Sequence, residues 1–135
     1  MTTVSNELKI QVEAEIERCR LVAESHYGRS FDFPSITYKK RGTTAGTASD
    51  LTYTINLNAV LLNENGVTFI DGRVGRGTVT HEFAHLVDGI VNPETRETGL
   101  RQDRYGNIRR GKRDVHGYRW KAIMRLFGVR NQINA

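Results

Sequence analysis

The chain has 135 residues, of which 38% are hydrophobic and 26% are charged, so its length predicts a single domain over residues 1–135 with one modest core. No apolar run approaches the length of a transmembrane helix, and the N-terminus lacks a signal-peptide pattern, so we expect a cytoplasmic, non-secreted monomer with no membrane contact. Cys19 is the only cysteine, which argues against a disulfide framework and fits a reducing compartment.

The net charge of +5 is spread unevenly along the chain. Residues 1–95 carry nine basic and twelve acidic side chains, whereas residues 96–130 carry eleven basic and three acidic ones, a net charge of +8. The basic residues of this segment are Arg96, Arg101, Arg104, Arg109, Arg110, Lys112, Arg113, Arg119, Lys121, Arg125 and Arg130. The segment would attract an anionic partner such as DNA, with Tyr105 available for base stacking. The alternative is a solvated loop with surface arginines.

The N-terminal part of the chain has the apolar spacing of a helix over residues 6–26, with Ser5 as its N-cap. The residues of its apolar face are Leu8, Val12, Ile16, Cys19 and Ala23. We expect Cys19 to be a small core residue. His26 is expected to be only a helix-end residue.

Residues 36–71 read as strands followed by short helices. Ile36 and Tyr38 alternate with polar neighbours and predict a short strand, and a hairpin around Gly42 and Gly46 leads into a second strand. The period-two residues of that second strand are Leu51, Tyr53, Ile55 and Leu57. We therefore expect a small three-stranded antiparallel sheet. Residues 58–64 suggest a short helix, and residues 67–71 a further helical turn.

A helix is predicted after the glycine-rich residues 75–77, with Thr78 as its N-cap and Gly89 marking its end before Pro93. Its apolar face is formed by Val79, Phe83, Leu86, Val87 and Ile90. His81, His85 and Asp88 point roughly the opposite way. The helix would bury one side in the core and turn its histidines towards a space that another element covers.

Residues 81–85 spell H-E-F-A-H, the helical zinc signature H-E-x-x-H. His81 and His85 lie one turn apart on one helix face, so both imidazoles can reach one Zn²⁺. Glu82 is placed to act on water rather than on the metal. The alternative is a pair of surface histidines on an amphipathic helix.

A catalytic zinc site normally has three protein ligands, and His116 is the attractive third one. The metzincin continuation needs glycine at position 88 and histidine at position 91, but the chain has Asp88 and Val91. Glu94 and Glu97 lie in the turn that follows and are poor candidates. For His116 the alternative is a cap or core histidine. Asp88 is either a partner that orients a ligand imidazole or an exposed helix-end acid.

The C-terminal part of the chain reads as a long loop followed by a helix. Residues 92–115 predict a loop or loose hairpin with its tip at residues 105–107, and we favour a mobile flap over the cleft. From His116 onwards, helical spacing places Trp120, Ile123 and Phe127 on the same face as His116. Trp120 is expected to anchor this helix against the H-E-x-x-H helix.

Five stretches of the chain form a recognisable set: residues 41–48 (RGTTAGTA), 54–62 (TINLNAVLL), 69–71 (FID), 81–86 (HEFAHL) and 116–120 (HGYRW). Together they resemble the SprT-like family of zinc metallopeptidases, which includes the Spartan DNA-dependent proteases. The resemblance covers residues 36–127 in the family's order. It implies an α+β, zincin-like fold in which the C-terminal helix carries the third ligand.

The resemblance implies zinc bound by His81, His85 and His116, with Glu82 as general base. The implied function is a zinc-dependent endopeptidase, which uses a zinc-activated water to hydrolyse peptide bonds of proteins or peptides. Its implied substrates are DNA-associated or DNA-crosslinked proteins. Two features depart from the family. The paired CxxC motifs of a C-terminal zinc ribbon are missing, and residues 72–77 are longer and richer in glycine than the usual link.

Two other functions are compatible with the same residues. The first is a zinc-containing nucleic-acid-binding or adaptor module with little or no proteolysis, although a module of that kind has no need of Glu82. The second is a metallohydrolase that acts on a small substrate and cleaves no protein.

Overall fold

A computed structural model describes residues 2–93, 100–102, 104–110 and 117–130 of the chain. The elements of these ranges are α1 (Asn6–Tyr27), β1 (Ser35–Lys40), β2 (Gly46–Ser49), β3 (Thr54–Asn58), α2 (Ala59–Asn65), α3 (Val67–Ile70), α4 (Thr78–Val91), β4 (Leu100–Gln102), β5 (Ile108–Arg110) and α5 (Tyr118–Leu126). The predicted α+β class is confirmed. Within the described ranges, no helix combines the length and the hydropathy that crossing a bilayer requires.

Helix α1 begins and ends as its sequence predicts. The Ser5 hydroxyl accepts a hydrogen bond from the Leu8 N–H at 3.2 Å, which satisfies one of the free donors of the first turn. The helix ends at Gly28, whose left-handed φ of 65° lets its N–H bond to the Glu24 carbonyl. The predicted burial of Cys19 is confirmed, since its side chain is fully covered.

The three-stranded sheet is mixed, and the prediction of an antiparallel sheet is wrong. Strand β3 lies between the other two, parallel to β1 and antiparallel to β2. The loop after β1 does not turn back along that strand but passes the end of β3. There the Asn58 amide donates to the carbonyls of Gly42 and Thr44 at 3.0 Å each. This anchoring keeps β1 and β2 on opposite sides of β3.

The tight turn of this sheet joins β2 to β3, and it contains two residues that were predicted to lie in a strand. Leu51 is 97% exposed in the turn, and Tyr53 has a φ of 52° directly before β3 begins. The period-two pattern therefore extends beyond the strand itself. After β3, Asn58 also caps α2 by accepting hydrogen bonds from Val60 and Leu61, so the predicted short helix is confirmed.

Helix α4 differs from its prediction at both ends. Its N-cap is Gly77, with a φ of 64°, and Thr78 is already helical and makes no cap hydrogen bond. Gly89 does not end the helix, which continues to Val91. A Cβ at position 89 would lie 2.3 Å from an Asp50 carboxylate oxygen. The glycine therefore allows the β2–β3 turn to pack closely against α4.

Helix α4 lies at the centre of the core, where it contacts α1, α5 and the sheet. Of its predicted apolar face, four residues are buried and Ile90 is half-buried. The Phe83 ring stacks on that of Phe127, with centroids 6.1 Å apart, so α4 and α5 share a continuous apolar contact. This packing leaves the opposite face of α4 for its polar residues.

The predicted hairpin in the C-terminal half is confirmed by strands β4 and β5. Leu100 pairs with Arg110 and Gln102 pairs with Ile108 in an antiparallel ladder, with Tyr105 near the tip. Residues 94–99, 103 and 111–116 of the predicted flap lie outside the described residues. A mobile flap over the cleft stays a prediction.

Candidate metal centre

Helix α4 brings the imidazoles of His81 and His85 together on one face. Their Nε2 atoms lie 3.1 Å apart, and the ring planes are 74° from parallel. Two imidazole nitrogens bound to one tetrahedral zinc at the usual bond length would lie about 3.3 Å apart. The two side chains therefore have the separation that a shared metal ion requires.

Glu82 lies beside this pair in a buried position. Only 7% of the Glu82 residue is exposed, and its Oε2 atom lies 3.8 Å from His81 Nε2. Burial raises the pKa of the Glu82 carboxyl to about 7, because the charged form loses hydration. A divalent cation nearby would stabilise the carboxylate and lower this pKa. His81, Glu82 and His85 form a group whose ligand atoms lie within 4.8 Å of one another and could hold a metal ion.

Trp120, in the first turn of α5, covers both histidines. Its ring lies nearly parallel to that of His85, with centroids 5.2 Å apart, and edge-on to that of His81 at 4.6 Å. The indole N–H also donates to the His81 carbonyl oxygen at 3.4 Å. The predicted anchoring of α5 by Trp120 is confirmed, and the indole restricts both imidazole rings.

Several bacterial proteins named Protein SprT are similar to this chain over most of its length. The protein from Vibrio atlanticus is 33% identical over 120 residues, which cover 88% of this chain and 58% of that protein. The protein from Pasteurella multocida is 30% identical over 117 residues (87% and 57%), and the one from Vibrio parahaemolyticus is 31% identical over 124 residues (91% and 61%). The chain belongs to the SprT-like family.

This SprT-like chain spans between 57% and 61% of the length of these three relatives. No family model matches the chain, and no solved structure matches it. The family assignment therefore rests on the relatives together with the motifs of the sequence.

Of the predicted site residues of this SprT-like chain, His116 lies outside the described residues. Helix α5 begins just after it, with Gly117 as its N-cap and Trp120 already against the two histidines. His116 as third ligand stays a prediction.

The Asp88 side chain is buried, so its interpretation as an exposed helix-end acid is wrong. Its Oδ1 accepts a hydrogen bond from the Asn92 amide at 2.7 Å. A role for Asp88 in orienting a ligand imidazole stays a prediction.

One buried polar cluster next to the site was missed by the sequence reasoning. Thr80 directly precedes His81 and is hydrogen-bonded to Glu15 of α1. Both side chains are buried. The apolar face predicted for α1 did not include Glu15. However, Glu15 follows Val12 by three residues and precedes Cys19 by four, so it lies on the apolar stripe. That spacing is the signal that could have identified it.

Proposed function

We propose that this SprT-like chain is a zinc-dependent endopeptidase. The observation that carries the proposal is the 3.1 Å convergence of His81 and His85 Nε2 with the buried Glu82 carboxyl beside them. Membership of the SprT-like family and the His116 motif support it. Zinc, when bound, would polarise the scissile carbonyl and make water a better nucleophile at neutral pH.

Three histidines and a tryptophan would bind the metal and hold its ligands in place. Neutral His81 and His85 would each present one Nε2 lone pair to the metal, with His116 as the proposed third ligand. Trp120 would keep the first two rings in place, because its indole contacts both of them. Its apolar surface also keeps bulk water away from one side of the pair.

Glu82 is the proposed general base. Its carboxylate would accept a proton from the attacking water and then deliver that proton to the leaving amine. Both transfers need a group that changes protonation state near the working pH. Burial raises the pKa of the Glu82 carboxyl in that direction, and a bound cation would lower it again. In the proposed arrangement the Glu82 side chain, next to the imidazole pair, acts on the water and leaves the metal to the histidines.

Measuring bound zinc and casein cleavage in histidine variants tests this proposal. We expect about one zinc per chain in the wild type, and loss of both zinc and cleavage in His81→Ala and His85→Ala. His26→Ala is the matched control, because His26 is exposed in the last turn of α1 and is not part of the candidate metal group, and it should leave both quantities unchanged. His116→Ala tests the third ligand.

The outcomes separate the endopeptidase from the two other functions. A wild type without zinc would contradict the proposal. One zinc per chain without cleavage of any protein would favour the nucleic-acid-binding module or the hydrolase of a small substrate. Full zinc occupancy in His116→Ala would mean that another group is the third ligand.

We also propose that the enzyme acts in the cytoplasm on proteins at DNA, with the basic residues 96–130 contacting the phosphates. Tyr105 near the hairpin tip is 74% exposed, and the Arg104 guanidinium lies over its ring, 5.2 Å from the centroid. Arg125, in the last turn of α5, and Arg130 are exposed as well. Positive charge with an exposed aromatic ring suits single-stranded nucleic acid.

Binding of a labelled single-stranded oligonucleotide, measured by fluorescence anisotropy, tests the DNA proposal. We expect the double variant Arg104→Ala/Tyr105→Ala to weaken binding by about tenfold or more, from the loss of one stacked base and one phosphate contact. Arg73→Ala is the control, since Arg73 is exposed but paired with Asp71 outside the basic segment. Binding that is insensitive to salt, or equally weakened in Arg73→Ala, would contradict the proposal.

A further inference from the structure

We propose that Glu15, Arg18 and Thr80 are positioning residues for the metal centre. They form a bridge of hydrogen bonds, buried at Glu15 and Thr80 and partly exposed at Arg18, that holds α4 and α5 in the register in which Trp120 covers His81 and His85. The inference rests on the proposed zinc site and deepens it.

The first half of the bridge joins α1 to the first turn of α4. Thr80 is fully buried, and its hydroxyl donates to the Glu15 carboxylate at 2.5 Å. The same hydroxyl accepts a hydrogen bond from the Gly72 N–H at 2.9 Å, so it also ties down the link that precedes α4. Because Thr80 directly precedes His81, its hydroxyl holds the helix backbone next to the first proposed ligand.

The second half of the bridge joins α1 to the end of α5. The Arg18 guanidinium donates to both oxygens of Glu15 at 2.8 Å, a bidentate pair. Its remaining Nη1 donates to the Phe127 carbonyl at 2.8 Å, just past the last turn of α5. One carboxylate and one guanidinium thus connect the helix of the histidines to the helix of Trp120.

Stability alone is a weak explanation for this arrangement. The Glu15 side chain is buried and that of Arg18 is only 24% exposed, so the ion pair gains little over apolar residues of the same volume, because its charges lose most of their hydration. Its directional bonds instead specify a single geometry. Phe127 lies seven residues after Trp120, about 10 Å along the helix, so holding the Phe127 carbonyl fixes the axial position of the indole. A slide of α5 would move Trp120 off the two imidazole rings.

Zinc affinity in paired threonine variants tests the inference. Trp120 is the only tryptophan and contacts both histidines, so its fluorescence can report zinc binding in competition with a chelator. We expect Thr80→Val to weaken zinc binding by about 10- to 100-fold, and Thr80→Ser to restore it. Thr78→Val is the matched control: Thr78 is also buried in the first turn of α4, and its methyl packs towards Gly46 rather than towards Glu15.

An arginine pair provides an independent test if Thr80→Val fails to fold. Arg18→Lys keeps a cation near Glu15 but cannot span Glu15 and the Phe127 carbonyl, so zinc binding should weaken. Arg20→Lys is its control, because Arg20 makes the same kinds of bond to two glutamates and the Phe31 carbonyl without touching α4 or α5. Urea unfolding with chelator present measures stability separately.

The inference and the proposed function fail in different ways. A wild type that binds no zinc contradicts the proposed function. If the wild type binds zinc, while Thr80→Val and Arg18→Lys lower only the unfolding midpoint and keep the wild-type zinc affinity, the bridge is purely structural and the inference is overturned. Weaker zinc binding in Thr80→Val and Arg18→Lys but not in Thr78→Val and Arg20→Lys supports it.

Discussion

Replacing Glu82 with glutamine should lower kcat/KM for a fluorogenic peptide by about 10²- to 10⁴-fold, the contribution of a general acid–base group. Glutamine has nearly the same volume and fits the buried position, but it cannot accept a proton from water. The two histidines remain in place, so zinc should stay bound. Steady-state cleavage rates and zinc content of the same preparation measure both effects.

The zinc content of Glu82→Gln is the control for this prediction. A variant that loses zinc together with activity would show that Glu82 supports the metal, not that it transfers a proton. Cleavage at the wild-type rate with zinc present would exclude Glu82 as the general base. If the wild type itself cleaves neither casein nor peptide, the adaptor function or the hydrolase of a small substrate becomes the better explanation.

Replacing Gly77 with alanine should lower the free energy of unfolding by about 3 kcal/mol or more. Gly77 has a φ of 64°, and a Cβ there would lie 2.1 Å from the Gly72 Cα. An alanine at position 77 would have to adopt a strained left-handed backbone, and its Cβ would clash with backbone atoms, which cannot rotate away as a side chain can. Since Gly77 is the N-cap of α4, the strain falls one turn before His81. Urea unfolding monitored by circular dichroism measures the change.

Gly28→Ala is a matched control for Gly77→Ala. Gly28 has nearly the same φ, 65°, but no atom lies within 4 Å of the position of its Cβ. Its replacement should cost only about 1–2 kcal/mol, the cost of a left-handed backbone for an alanine. The difference between the losses in free energy of unfolding of the two variants measures how much the close packing of Gly77 on Gly72 contributes. Equal losses would show that only backbone conformation matters at Gly77.

The local features of this protein were determined by the sequence itself. Helix α1 with its Ser5 cap and the helical face that pairs His81 with His85 depend on contacts between residues three or four apart. Such contacts are present in any helix, whatever it packs against. The motifs also identified the family, because they occur in the right order along the chain.

The tertiary structure alone decided the features that depend on distant contacts. The Asn58 side chain holds the loop between β1 and β2 at the end of β3, and the N-cap of α4 is Gly77, which packs on Gly72, instead of Thr78. The bond between Glu15 and Thr80 joins residues 65 positions apart. Local periodicity carries no information about such pairs. The free energy of a buried polar pair depends on how deeply the two groups are buried and on which distant partner the fold brings near.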